Sequence, residues 1–152
     1  LASSAHQILN SGGTYPIQEE GAGLISASWA DDVLTGTMGN WGEVSYVCAS
    51  PNPFLVATMP NLSSGLRTRV AIAWGQPYGY ANYYMQPSAD LNLVVKDSFG
   101  AIVSSFGNSH DETYEWIEFV TSIPGNYTIN IQRRYCDAVS NSVVGYAWWQ
   151  FH

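Results

Sequence analysis

The sequence predicts a mainly β protein, an antiparallel jelly-roll-like β-sandwich preceded by a short helical segment. Three observations predict it. From about residue 40 onward apolar residues recur at a period of two, as they do on strands with one buried face. Gly, Pro and Asn separate those runs at short intervals, as turns require. Only 11% of the 152 residues are charged, and Gly, Ser, Asn, Thr and Tyr fill the gap, so the outward strand faces must be neutral.

The front of the chain reads differently. Leu1, Ala5, Ile8 and Leu9 fall on one face of a helix, and Gly12-Gly13 supplies a left-handed stop. That helix has no N-cap before it, the pattern of an element continuing from something upstream. After the turn-prone stretch to Pro16, Gly21-Ala22-Gly23 precedes a short amphipathic helix with Ser26 as its N-cap. The glycines suit close packing or positive φ; a phosphate loop is a poor reading, because the third glycine and the preceding strand are missing. The expected division is therefore a helical segment over residues 1–36 and a sandwich over 37–152.

Within the sandwich the strands follow in order. Val70, Ile72 and Trp74 alternate with Ala71 and Ala73. Leu91, Leu93 and Val95 alternate with Asn92 and Val94. Ile117 and Phe119 alternate with Trp116, Glu118 and Val120. Tyr127, Ile129 and Ile131 alternate with Thr128, Asn130 and Gln132, and a last strand runs from Gly145 to Phe151. Turns are expected at Ser98-Phe99-Gly100, Gly107-Asn108 and Pro124-Gly125-Asn126. Seven or eight strands of this kind form a jelly-roll or immunoglobulin-type sandwich.

Charge and composition exclude several functions. The net charge is −7 with five Lys and Arg, which cannot displace the counterions of a nucleic acid. No apolar run approaches a membrane span, and no signal peptide is visible. Cys48 and Cys136 lack the spacing of zinc or redox motifs. They either close one long loop as a disulfide or remain buried thiols. Asn61-Leu62-Ser63 and Asn126-Tyr127-Thr128 are glycosylation sequons; with the low Lys content they lean towards a secreted, extracellular setting. Six Trp and ten Tyr serve a core and strand faces, or else a platform for sugar or peptide.

A family resemblance joins the two halves. Leu66-Arg67-Thr68-Arg69-Val70-Ala71-Ile72-Ala73-Trp74 with Gln76-Pro77, then Ala89-Asp90-Leu91-Asn92-Leu93-Val94-Val95, then Gly125-Asn126-Tyr127-Thr128-Ile129-Asn130-Ile131 run in order along the chain. This resembles the C-terminal β-sandwich of certain subtilisin-like alkaline proteases, a relative of the proprotein-convertase P domain. The family pattern is a V-W-x-D-P strand end, a D-L-D-L strand and an S-G-x-Y-T-I-x-V strand. Gln76 and Asn92 stand where that pattern has Asp. Glu20-Gly21-Ala22-Gly23-Leu24-Ile25-Ser26-Ala27 resembles the G-x-G-x-[VI]-[DN]-A run that closes the catalytic domain, and Leu1 to Leu9 resembles the helix before it. The resemblance implies a non-catalytic C-terminal fragment of a secreted subtilisin-like serine endopeptidase, with the catalytic domain upstream in the same chain as its partner.

The nucleophile, base and orienting Asp of that family lie in G-T-S-M-A, H-G-T and D-[ST]-G runs, and none occurs here. Gly13-Thr14-Tyr15 and Gly36-Thr37-Met38 share two letters with the first, and His6, His110 and His152 lack the second context. A serine nucleophile needs a base held by a carboxylate, so no peptidase activity is expected of this chain alone.

The resemblance also implies a calcium site. The family pairs the first Asp of its D-L-D-L strand, here Asp90, with a Glu on the following strand, here Glu115; Asn108, Asp111 and Glu118 lie nearby in sequence. Calcium takes six to eight oxygens from such loops; the alternative is solvated turn and strand carboxylates. A glycosidase pair among Glu112, Glu115 and Glu118 is disfavoured, because alternation sends Glu115 and Glu118 to opposite faces. Tyr78, Tyr80, Tyr83 and Tyr84 crowd one loop that packs on a catalytic domain or grips a sugar or peptide. Two functions therefore stand: a protease accessory domain docking through Leu1 to Leu34, or an independent carbohydrate- or protein-binding module.

Overall fold

The computed structural model describes residues 5–6, 24–25, 27–36, 39–75, 89–106, 113–136 and 141–152. Apolar alternation drives the strands into two layers, because each strand can bury only one face. The elements are β1 (Ala5–His6), β2 (Leu24–Ile25), α1 (Ala27–Thr35), β3 (Gly39–Val47), β4 (Phe54–Leu62), β5 (Arg67–Trp74), β6 (Ala89–Lys96), β7 (Ile102–Phe106), β8 (Tyr114–Val120), β9 (Gly125–Cys136) and β10 (Asn141–Phe151). One four-stranded sheet has the order β3-β10-β5-β8 and the other β4-β9-β6-β7. Every pairing is antiparallel. This interleaved order, with consecutive strands mostly switching sheets, is that of an eight-stranded jelly roll.

The core lies between the sheets. Val70, Ile72, Trp74, Ile117, Val144 and Trp148 come from the first sheet, and Met59, Leu91, Leu93, Val95, Ile129 and Ile131 from the second. One end of this core is closed by polar groups. Gln150 Nε2 donates to Ser63 O at 3.0 Å and reaches Thr68 Oγ1 and Thr121 Oγ1 at 3.3 and 3.2 Å. The Tyr127 hydroxyl donates to Ile123 O at 2.8 Å, pinning the turn that leads into β9. At the β6–β7 turn, Asp97 Oδ1 accepts from the amides of Phe99 and Ala101, each at 2.9 Å, and Gly100 takes φ +82°, a conformation glycine adopts without a Cβ clash.

Cys48, just after β3, and Cys136, the last residue of β9, form a disulfide with Cα atoms 5.6 Å apart. Of the two alternatives the sequence left open, the structure takes the cross-link, and it ties the first sheet to the second.

The front segment departs from its expectation at one point. A helix over Leu1 to Leu9 is incompatible with Ala5–His6, which pair antiparallel with Leu24–Ile25. A ladder partner eighteen or more residues away is a non-local term that helical spacing cannot reveal. The second helix does form. α1 begins at Ala27, just after Ser26, and ends where Gly36 takes φ +71°, a left-handed stop.

Candidate functional site

Strand register assigns each side chain of the first sheet to a face. Gly145 faces Ala73 and Ala147 faces Ala71 across β10 and β5; on β3, Glu43 pairs Gly145 and Trp41 pairs Ala147; on β8, Tyr114 pairs Ala73. All of these alternate with core residues, so they lie on the outer face. Four small residues in the middle of that face leave a depression, with Trp41 rising on one side and Tyr114 on the other. α1 packs over β3 and β10 and adds a third wall. Its Val33 is buried, whereas Leu34 is exposed. The resulting groove encloses about 480 Å³ and is lined mostly by apolar atoms, a size within the usual range of ligand pockets.

Further along the same face the side chains become large. Arg69 is only 3% exposed. Its guanidinium lies 5.3 Å from the Trp116 ring centroid and 5.8 Å from that of Phe151, and Nη2 meets Glu118 Oε2 at 2.6 Å. Arg67 joins the same carboxylate through Oε1 at 3.0 Å. Trp149 stacks on Phe151 with centroids 4.3 Å apart. Arg69 Nη1 and Trp116 Nε1 are buried without a hydrogen-bond partner among the described residues.

The carboxylates expected to share a cation sit on different faces. Glu115 is buried on the inner side of β8, where Oε2 accepts from the Leu93 amide at 2.9 Å. The bond crosses the sandwich. Asp90 lies between Ala89 and Leu91, both in the core, so alternation turns it outward. Asn108 and Asp111, like the four tyrosines of the loop before β6, lie outside the described residues. Among the described residues no three His, Cys, Asp or Glu side chains gather as a metal site requires. Glu115 faces the core and Glu118 the outside, the opposition that alternation predicts.

The two sequons meet on the surface. The Asn61 amide donates to Asn126 Oδ1 at 3.0 Å, and both residues are exposed. Asn61 has φ +53°, which asparagine tolerates better than most residues.

The groove was not anticipated from the sequence. Ala71 and Ala73 read there as the small half of an alternation and Ala147 only as part of a last strand, and only cross-strand register gathers them into one floor.

No family model and no curated protein matches this chain. Among solved structures it is similar to the periplasmic inhibitor of g-type lysozyme from Aeromonas hydrophila, PliG, at 11% identity over 74% of this chain and 86% of that one, with a TM-score of 0.41. A likeness at that level carries no functional argument.

Proposed function

We propose that this chain is the non-catalytic C-terminal part of a secreted subtilisin-like serine endopeptidase, stabilising the catalytic domain or shaping access to it. The observation that carries the reading is the collinearity of its motifs. The V-A-I-A-W run is β5, the D-L-N-L run β6 and the G-N-Y-T-I-N-I run β9, so all three occupy central strands, in the order the family requires. The segment resembling the end of a catalytic domain leads directly into α1, which packs on the first sheet. The Cys48–Cys136 disulfide supports an oxidising, extracellular compartment.

The test is to sequence the coding region upstream and treat both products with a fluorophosphonate probe. A G-T-S-M-A run upstream, with a labelled serine in the longer protein and none in this chain, is the expected result. A labelled serine within residues 1–152 overturns the reading.

Calcium belongs to the same proposal through Asp90, Asn108 and Asp111, without Glu115, whose carboxylate is turned into the core and taken by the Leu93 amide. A cation held a hundredfold above its dissociation constant stabilises the folded state by about 2.7 kcal/mol. Chelation should then lower Tm, calcium should restore it, and Asp90→Ala should abolish the response while leaving a folded domain. An unchanged Tm on chelation removes calcium from the proposal.

The independent-module alternative rests on the groove itself, an apolar site of ligand size on an outer face.

A further inference from the structure

We infer that the groove beside α1 is a docking site for a polypeptide segment in which an aliphatic or aromatic side chain stands next to Lys or Arg. Two observations select that occupant. The first is shape and polarity. The floor of Ala71, Ala73, Gly145 and Ala147 offers no side-chain donor or acceptor, so a sugar lying there would lose hydrogen bonds to water without replacement. An apolar side chain between Trp41 and Tyr114 loses nothing polar and removes apolar surface from water. Trp41 is 55% exposed, so one wall is open to receive it.

The second is charge. Glu43 is an exposed residue of the groove lining. Asp31, also exposed, lies on α1 outside the groove lining, so Glu43 is the acidic group at the groove itself. The chain has five Lys and Arg in all, and each is accounted for elsewhere. Arg67 and Arg69 are both engaged by Glu118, while Lys96, Arg133 and Arg134 belong to β6 and β9 of the other sheet. No Lys or Arg of this chain is therefore left to neutralise Glu43 at the groove, and a partner's cation fits where none is supplied internally. The Glu43 carboxylate and the apolar floor together select a basic-apolar segment over a neutral or acidic one. The inference does not rest on the protease reading.

The experiment uses the whole 152-residue chain and fluorescein-labelled peptides followed by anisotropy. The probes are acetyl-Leu-Phe-Lys-Arg-amide, its acidic counterpart acetyl-Leu-Phe-Glu-Glu-amide and the neutral acetyl-Leu-Phe-Ser-Ser-amide. The basic peptide should bind, more weakly at high salt, and the acidic one should not. Ala73→Leu, at an exposed floor position, should fill the groove and abolish binding. Glu43→Gln should weaken it roughly fivefold to tenfold, with a smaller salt dependence. Trp41→Ala should also weaken it, and serves if Ala73→Leu does not fold. Failure of the basic peptide to bind overturns the inference. So does equal binding of all three peptides, which would leave an apolar pocket without charge selection, or binding by a folded Ala73→Leu chain as tight as wild type.

Discussion

The two outer faces of this sandwich are built for different surroundings. On the second sheet, register places Thr128, Asn130, Asn92, Lys96 and also Val94 outward, a mixed and mostly polar face without a Trp, on which Asn92, Val94 and Asn130 are nonetheless buried. Asn130 Nδ2 donates to Thr128 Oγ1 at 2.9 Å. On the first sheet the outer face carries Trp41, Trp116, Trp149, Phe151 and the sequestered Arg69, with α1 lying across one end. A sandwich needs only its two inner faces to make a core. The first sheet therefore carries a second, largely aromatic layer outside the sandwich core, which the second sheet lacks.

The largest expected effect comes from letting the two sheets part. The Cys48–Cys136 cross-link spans a sequence separation of 88, and a loop of that size restricts the unfolded chain by about 4–5 kcal/mol in the chain-entropy treatment. The double Cys→Ser variant should unfold at markedly lower denaturant than the oxidised wild type. Reduction of the wild type should reproduce the loss, and the variant should be insensitive to reductant. A variant as stable as wild type would mean that packing alone holds the sheets together.

A direct comparison of the faces comes next. Trp149 is buried on the outer face of the first sheet and stacks on Phe151, so Trp149→Ala should cost about 3–5 kcal/mol, as for a core aromatic. Asn130 on the other outer face contributes local hydrogen bonds, and Asn130→Ala should cost about 1 kcal/mol. Urea titration of both variants checks the ratio. Equal costs would erase the distinction between the two faces.

What could be read from the sequence divides along the same structural line. β5, β6, β8 and β9 announce themselves by alternation, and three of them have neighbours on both sides, as does β10, which showed as a last run from Gly145 to Phe151. β3, β4 and β7 do not stand out, and each is a sheet edge. β3 contains Gly39, where a Cβ would collide with the Trp148 carbonyl, and Gly42, over which the Tyr146 ring packs. β4 carries Pro60 and Asn61, and β7 is five residues long. Edge strands tolerate residues that break a period, because half of their backbone has no ladder partner to lose. The opposition of Glu115 and Glu118 was legible because it follows from period alone. The Leu93 amide that Glu115 bonds, the β1–β2 pairing and the groove floor depend on which strands become neighbours, and no local pattern contains that.

The smallest expected effect separates packing from charge within the aromatic face itself. Arg67 and Arg69 share Glu118, but the Arg67 side chain is 59% exposed and that of Arg69 3%. Arg67→Ala should cost well under about 1 kcal/mol, and the difference should vanish at high salt, because solvent screens an exposed pair. Arg69→Ala should cost more, about 1–3 kcal/mol, since it strips the cover from Trp116 and Phe151 as well as the ion pair. Arg69→Met keeps the apolar stem and removes both the charge and the unpartnered Nη1. Replacing a buried charge by an apolar group of similar size is often neutral, and Glu118 keeps Arg67, so Arg69→Met should recover most of the loss. Chemical denaturation of the three variants at low and high salt gives the answer. If Arg69→Met is as destabilised as Arg69→Ala, the guanidinium acts through its charge, and this face is an ion-pair site rather than a second apolar layer.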